Sequence, residues 1–185
     1  MDHSAGAAGT EDFTGPVAPQ DTGVMAHPQM YDDGAPHFQR VRSLALALPE
    51  ARMKVSHGRP AFFTQKVFAY YGSSVKGSDS GSSQTAADGS RLPPGGIPGE
   101  EGRSYLQFPR ALVIRAEGSD ADVLAQDPRA FRPAYLGASG WFALDLSDLD
   151  PAAEGEDEGW AEAAEWLETS YRLTAPARLV KSFGT

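Results

Sequence analysis

The segment His57-Gly58-Arg59-Pro60 carries the most distinctive chemistry in the chain. An imidazole and a guanidinium on one turn could hold a phosphate or a carboxylate, with Arg59 acting through its planar fork. The same residue types also describe a fold-defining turn. In that reading Gly58 supplies a positive φ, Pro60 sets the entry into a strand, and Arg59 braces the C-terminal helix through an acidic residue. As a general base His57 has no evident nucleophile partner in the sequence. The segment lies within the main concentration of positive charge: between residues 40 and 66, Arg40, Arg42, Arg52, Lys54, Arg59 and Lys66 stand against Glu50 alone. On one face, and with a protonated His57 beside them, these residues would take DNA phosphates with little sequence preference. Spread over a helix and a loop, they would be solvated surface charges. Tyr135 and Trp141, with Gly137 and Gly140 between them, could stack on a ligand or a base, although a tryptophan opening a strand more often belongs to the core.

Other chemistry is thinly represented. Glu154, Glu156, Asp157 and Glu158 lack the alternating aspartates and central glycine of a calcium loop, so they read as a solvated acidic turn before a helix and not as a metal site. The chain has no cysteine, which excludes thiol nucleophiles, disulfides and thiolate metal sites. Gly-x-Ser-x-Gly, a phosphate loop ending in Gly-Lys, a paired-histidine zinc motif and GxGxxG are all missing. A binding module that needs no cofactor is the reading this favours. Net charge is −9 and the isoelectric point about 4.8, but the charge is uneven: residues 145–168 hold ten acidic and no basic residues. Phosphate affinity follows the local patch more than the total.

The elements that must position these residues occupy only part of the 185 residues. Residues 1–36 contain six acidic residues and no Lys or Arg, a composition expected to form a disordered acidic tail. Between Gly72 and Ser104, 19 of 33 residues are Gly, Ser or Pro. That stretch separates two strand-like runs and is expected to be an enlarged hairpin loop. A single domain over 37–185 remains. Asp32, Asp33 and Pro36 resemble helix-start signals, and Phe38, Val41, Ala45 and Leu48 mark one helical face ending at Pro49. Ala61–Thr64 and Val67–Tyr71 read as strands of a hairpin turned at Gln65-Lys66, and Ala111–Ile114 as a third strand. Ser119-Asp120 is expected to cap a short helix. An irregular stretch from Phe131 to Gly140 leads into a strand at Trp141–Leu146. Trp160, Ala163, Ala164, Leu167 and Tyr171 then form the stripe of a long helix, and a last helix follows Pro176. The order α-β-β-β-α-(β)-β-α-α predicts an α+β fold: two layers, a mainly antiparallel sheet with helices on one face.

Several of these segments together resemble the MmcQ/YjbR family. They are Leu48-Pro49-Glu50-Ala51, His57 through Phe62, Lys66-Val67-Phe68-Ala69, Pro133 through Gly137 with Gly140-Trp141, and Tyr171 through Pro176 with Arg178-Leu179. They occur in the family's order across nearly all of residues 37–183. The resemblance implies a YjbR-like α+β fold, related in shape to the CyaY-like (frataxin-like) domains, and a DNA-binding role through a double-wing geometry. The chain departs from the family pattern in its long tail, its expanded 72–104 loop and an acidic insert at 151–159. Two functions are therefore expected from different classes. One is a non-enzymatic DNA-binding protein contacting phosphates through Arg40, Arg42, Arg52, Lys54, Arg59 and Lys66, with a slope of log K against log salt of about −5. The other is a protein- or small-ligand-binding module without nucleic-acid affinity, using the sheet face near Trp141 and Tyr135. No apolar run approaches the roughly 20 residues of a membrane span, and no N-terminal targeting pattern is present. A cytoplasmic protein whose partner is DNA or another protein, not a membrane, is the expectation.

Overall fold

The structure, a computed structural model, describes residues 28–78, 84–99, 105–153 and 157–183. Residues 1–27, most of the expected tail, lie outside them, as do 154–156 of the acidic run. Residues 28–35, assigned to the same tail, do have defined contacts: the Met30 N–H donates to the Gly58 carbonyl at 2.8 Å, and Tyr31 sits edge-on to Phe38 at 5.0 Å between ring centroids.

Helix α1 (Pro36–Leu46) begins with proline, whose missing N–H has no partner to lose in a first turn. It buries Phe38, Val41 and Ala45. The aspartates upstream do not cap it. Ala35 occupies the cap without a side-chain bond, and Asp32 closes a tight turn by accepting from the Gly34 N–H. Strands β1 (Arg52–Ser56) and β2 (Arg59–Phe63) follow as an antiparallel hairpin. β1 is an addition to the sequence reading: Arg52-Met53-Lys54-Val55-Ser56 has the polar–apolar alternation of a half-exposed strand, but its basic residues read more readily as loop. The turn is His57-Gly58, with φ of 51° and 76°, the left-handed pair that a two-residue type I′ hairpin requires. A chain without asparagine uses His-Gly where Asn-Gly would be usual.

Strand β3 (Val67–Lys76) is hairpin-paired with β5 (Tyr105–Arg115), and both outrun the expected strands. Gly72-Ser73-Ser74 has loop composition yet lies in the sheet, because Ser73 and Ser74 pair with Phe108 and Gln107. Part of the connection is also structured. Strand β4 (Ile97–Pro98) pairs with β5, and Ala86 and Leu92 are buried. Helix α2 (Ser119–Gln126) starts from Gly118 with no side-chain cap. Ser119 and Asp120 therefore stand inside its first turn, where Asp120 and Asp122 suit the helix dipole. Strands β6 (Ala130–Phe131) and β7 (Trp141–Asp145) are followed by α3 (Glu158–Thr174) and α4 (Ala177–Phe183). Asp157 caps α3 through the Trp160 N–H at 3.0 Å.

The fold is α+β. The antiparallel sheet runs β1-β2-β3-β5-β7-β6, with β4 beside β5. Alternation along the strands divides its side chains between two cores. Phe62, Phe68, Leu112, Ile114, Phe142 and Leu144 pack with Phe38 and Val41 of α1 and with Trp160, Ala163, Leu167 and Tyr171 of α3. Two bonds from Ser170 lock α3 down: its hydroxyl donates to the Phe68 carbonyl and accepts from the Arg115 N–H. On the opposite face, Phe108, Ala111, Val113, Trp141 and Ala143 form a second core, closed by Ala86, Leu92 and Phe131 instead of by helices. Among the described residues, no helix is long and apolar enough to cross a membrane.

Candidate functional site

The face without helices is left open at one end of β2, and two sequence features open it. Pro60 has no N–H to offer a neighbouring strand, and β2–β3 pairing ends beside it at Ala61↔Tyr70. Gly72 (φ 79°) sits at an irregularity in the β3–β5 register, between Tyr71 and Ser73, where a bulge bends the strand. Beyond it, β3 leads away from the hairpin turn. The gap between them is a pocket of about 430 Å³, within the range typical of small-molecule sites.

Tyr70 and Val113 line the sheet side of the pocket. Ser56, His57 and Arg59 form the hairpin side, Ser73 and Ser74 the bent half of β3, and Pro133–Leu136 the far wall, with Met30 at the N-terminal segment. That far wall is tied to β3 by the Ala134 N–H, which donates to the Ser74 carbonyl at 2.7 Å. Tyr135 is 87 % exposed at the lip. Its ring stacks on Tyr105 at 6.1 Å, and the two hydroxyls lie 2.8 Å apart. This shared hydrogen bond holds the Tyr135 hydroxyl above the usual phenol range. Burial does the same to Tyr70. Of the three non-glycine residues with positive φ among the described residues, two are at this pocket: His57 at 51°, in its hairpin turn, and Tyr135 at 66°. Such backbone strain tends to collect at ligand-binding positions.

Arg59 enters the pocket from β2. Its Nη2 donates to Gln107 Oε1 at 2.7 Å, so it does not brace the C-terminal helix as the sequence suggested. Burial pushes its guanidinium below the ordinary arginine value. Among the described residues, none lining the pocket is a carboxylate. Ser56 Oγ lies 3.2 Å from His57 Nδ1.

The structure distributes the other expected site residues. Trp141 is 9 % exposed and packs behind the pocket, its ring 5.5 Å from that of Tyr70. It is a core residue that supports the pocket from behind. Arg40 is occupied elsewhere: its Nη1 donates to the Pro151 and Ala153 carbonyls, and its guanidinium lies over Trp160. Arg42 is exposed on α1, in the helical layer. Arg52 and Lys54 both lie over the Phe63 ring, at 5.0 and 5.1 Å, on the face opposite Phe62 and the helices. Lys66 is exposed in the β2–β3 turn. The six basic residues thus divide among the helical layer, the β1 edge and the pocket. Sequence reasoning missed Tyr70, Gly72, Ser73, Ser74 and Val113. The available signal was Gly72 directly after the aromatic run, since a glycine breaking a strand pattern marks a bulge or a close approach. Among the described residues, no cluster of three or more His, Asp or Glu side chains could hold a metal ion.

No protein-family model, curated protein or solved structure matches the chain.

Proposed function

We propose that the chain is a non-enzymatic small-ligand-binding module, working in the cytoplasm, whose site is the pocket between the His57-Gly58 turn, the bent half of β3 and the Pro133–Leu136 wall. The observation that carries this reading is the coincidence of an open, largely apolar cavity with a strained, exposed residue, Tyr135, lining it. Occupancy is tested with 8-anilinonaphthalene-1-sulfonate, a dye that brightens in apolar sites. Half-buried Ala134 lines the pocket, and Ala134→Trp should fill it. Dye affinity is expected to fall at least about tenfold while the thermal melt stays in place. Unchanged affinity would contradict the proposal.

A second reading keeps nucleic acid, as the MmcQ/YjbR resemblance implies. Its support is the pair Arg52 and Lys54, side by side over Phe63 on the edge strand, with Lys66 in the adjoining turn. Arg40 and Arg59 are engaged elsewhere and Arg42 lies in the other layer, so three cations are left on this edge. The expected salt slope is then about −3, not about −5. Fluorescence anisotropy of labelled duplex at about 50 and 200 mM salt measures it, and a slope near zero or an absence of binding would remove this reading.

A further inference from the structure

Arg59 differs from the ion-paired arginines of the fold. Arg115, Arg129, Arg172 and Arg178 each have a carboxylate oxygen within 2.7 Å. The described residues place no such group at Arg59, whose side-chain bond goes to the neutral amide of Gln107. That bond orients the guanidinium without neutralising it, and uses one of its five N–H donors. The guanidinium passes close over Gly72, where a Cβ would stand 2.6 Å from Nη1, at a position whose φ of 79° already favours glycine. A half-buried cation with a neutral partner is unfavourable until an anion completes it.

Resting on the pocket reading above, we infer that the ligand is an apolar monocarboxylate, its carboxylate on the Arg59 fork and its body running over Tyr70 and Val113 towards Tyr135. Three features select this class. A planar carboxylate matches the two-pronged geometry of a guanidinium. Among the described lining residues Arg59 is the one that is always charged and none is a carboxylate, which suits a monoanion. A phosphomonoester would bring close to two negative charges. Tyr70, Val113, Pro133 and Leu136, with Met30 and Ala134, make the greater part of the lining apolar or aromatic beside the hydroxyls of Ser56, Ser73 and Ser74, so it suits a hydrocarbon body better than a sugar.

Isothermal titration of the full chain with 1-naphthoate, 1-naphthylmethanol and 1-naphthyl phosphate tests the assignment. Naphthoate should bind about ten- to a hundredfold more tightly than the neutral alcohol, the range for a charge-assisted pair, and more tightly than the phosphate. Arg59→Met should remove the preference for naphthoate while retaining the alcohol. The comparison of ligands on the unmodified chain stands even if that variant does not fold. Equal affinity for acid and alcohol would overturn the carboxylate assignment and leave the pocket reading intact. Tighter binding of the phosphate would overturn the monoanion. Binding of none of the three would overturn both the inference and the reading on which it rests.

Discussion

At the scale of single residues, the site is marked by conformations that cost stability. A non-glycine residue in the left-handed region costs about 1 kcal/mol or more, and Tyr135 adopts it with 87 % of its surface exposed. Burial therefore returns little for the strain. Tyr135→Gly should leave stability to urea unchanged or raise it by up to about 1 kcal/mol, while weakening ligand binding. A marked loss of stability would show that the tyrosine is there to hold the fold. Part of this was legible in the sequence. His57-Gly58 could be read as a turn from residue type alone, and Arg59 as an anion-binding fork. The partner of Arg59 could not, because Gln107 lies 48 positions away and reaches it only through the β3–β5 pairing.

At the scale of elements, the sheet and its helices followed from periodicity wherever a segment buries a face. The stripe on α3 and the Ala111–Ile114 strand are examples. β1 was hidden because its exposed side is basic, and the second half of β3 because Gly72-Ser73-Ser74 takes its strand conformation from pairing and not from propensity. One tertiary junction yields a pH prediction. Arg129 bridges Asp127, at the end of α2, to Glu162 of α3 at 2.6 and 2.7 Å. Burial acts to raise the Asp127 carboxyl, but hydrogen bonds and charge from Arg129 outweigh it and hold the group below its ordinary 3.8. A carboxyl lowered on folding stabilises fully above its unfolded pKa and loses that contribution as pH falls through the folded one. The stability difference between the unmodified chain and Asp127→Asn should therefore narrow between pH 6 and pH 3 in urea denaturation. A difference independent of pH would show that the bridge does not link α2 to α3 energetically.

At the scale of the whole molecule, the sheet has two dissimilar sides. One is sealed by α1 and α3 over a large aromatic core. The other is closed partly by the 84–99 connection and partly by the wall after β6, and the pocket lies between that wall and the β1–β2 hairpin. Composition announced the long connection but not that Ala86 and Leu92 would be buried under it, since their burial depends on which face β5 presents. The charge imbalance between 40–66 and 145–168 was plain in the sequence. The separation of the six basic residues was not, because it requires knowing that α1 and β1 belong to different layers. On the proposed function, this second side binds a small molecule. A titration of uniformly 15N-labelled protein with 1-naphthoate, followed by amide proton–nitrogen correlation spectra, tests it most directly. Saturable shifts are expected, centred on Gly72, Ser73, Ser74, Val113 and Ala134–Leu136, with the amides of α3 unmoved. Absence of shifts, or shifts confined to residues outside the pocket, would contradict it.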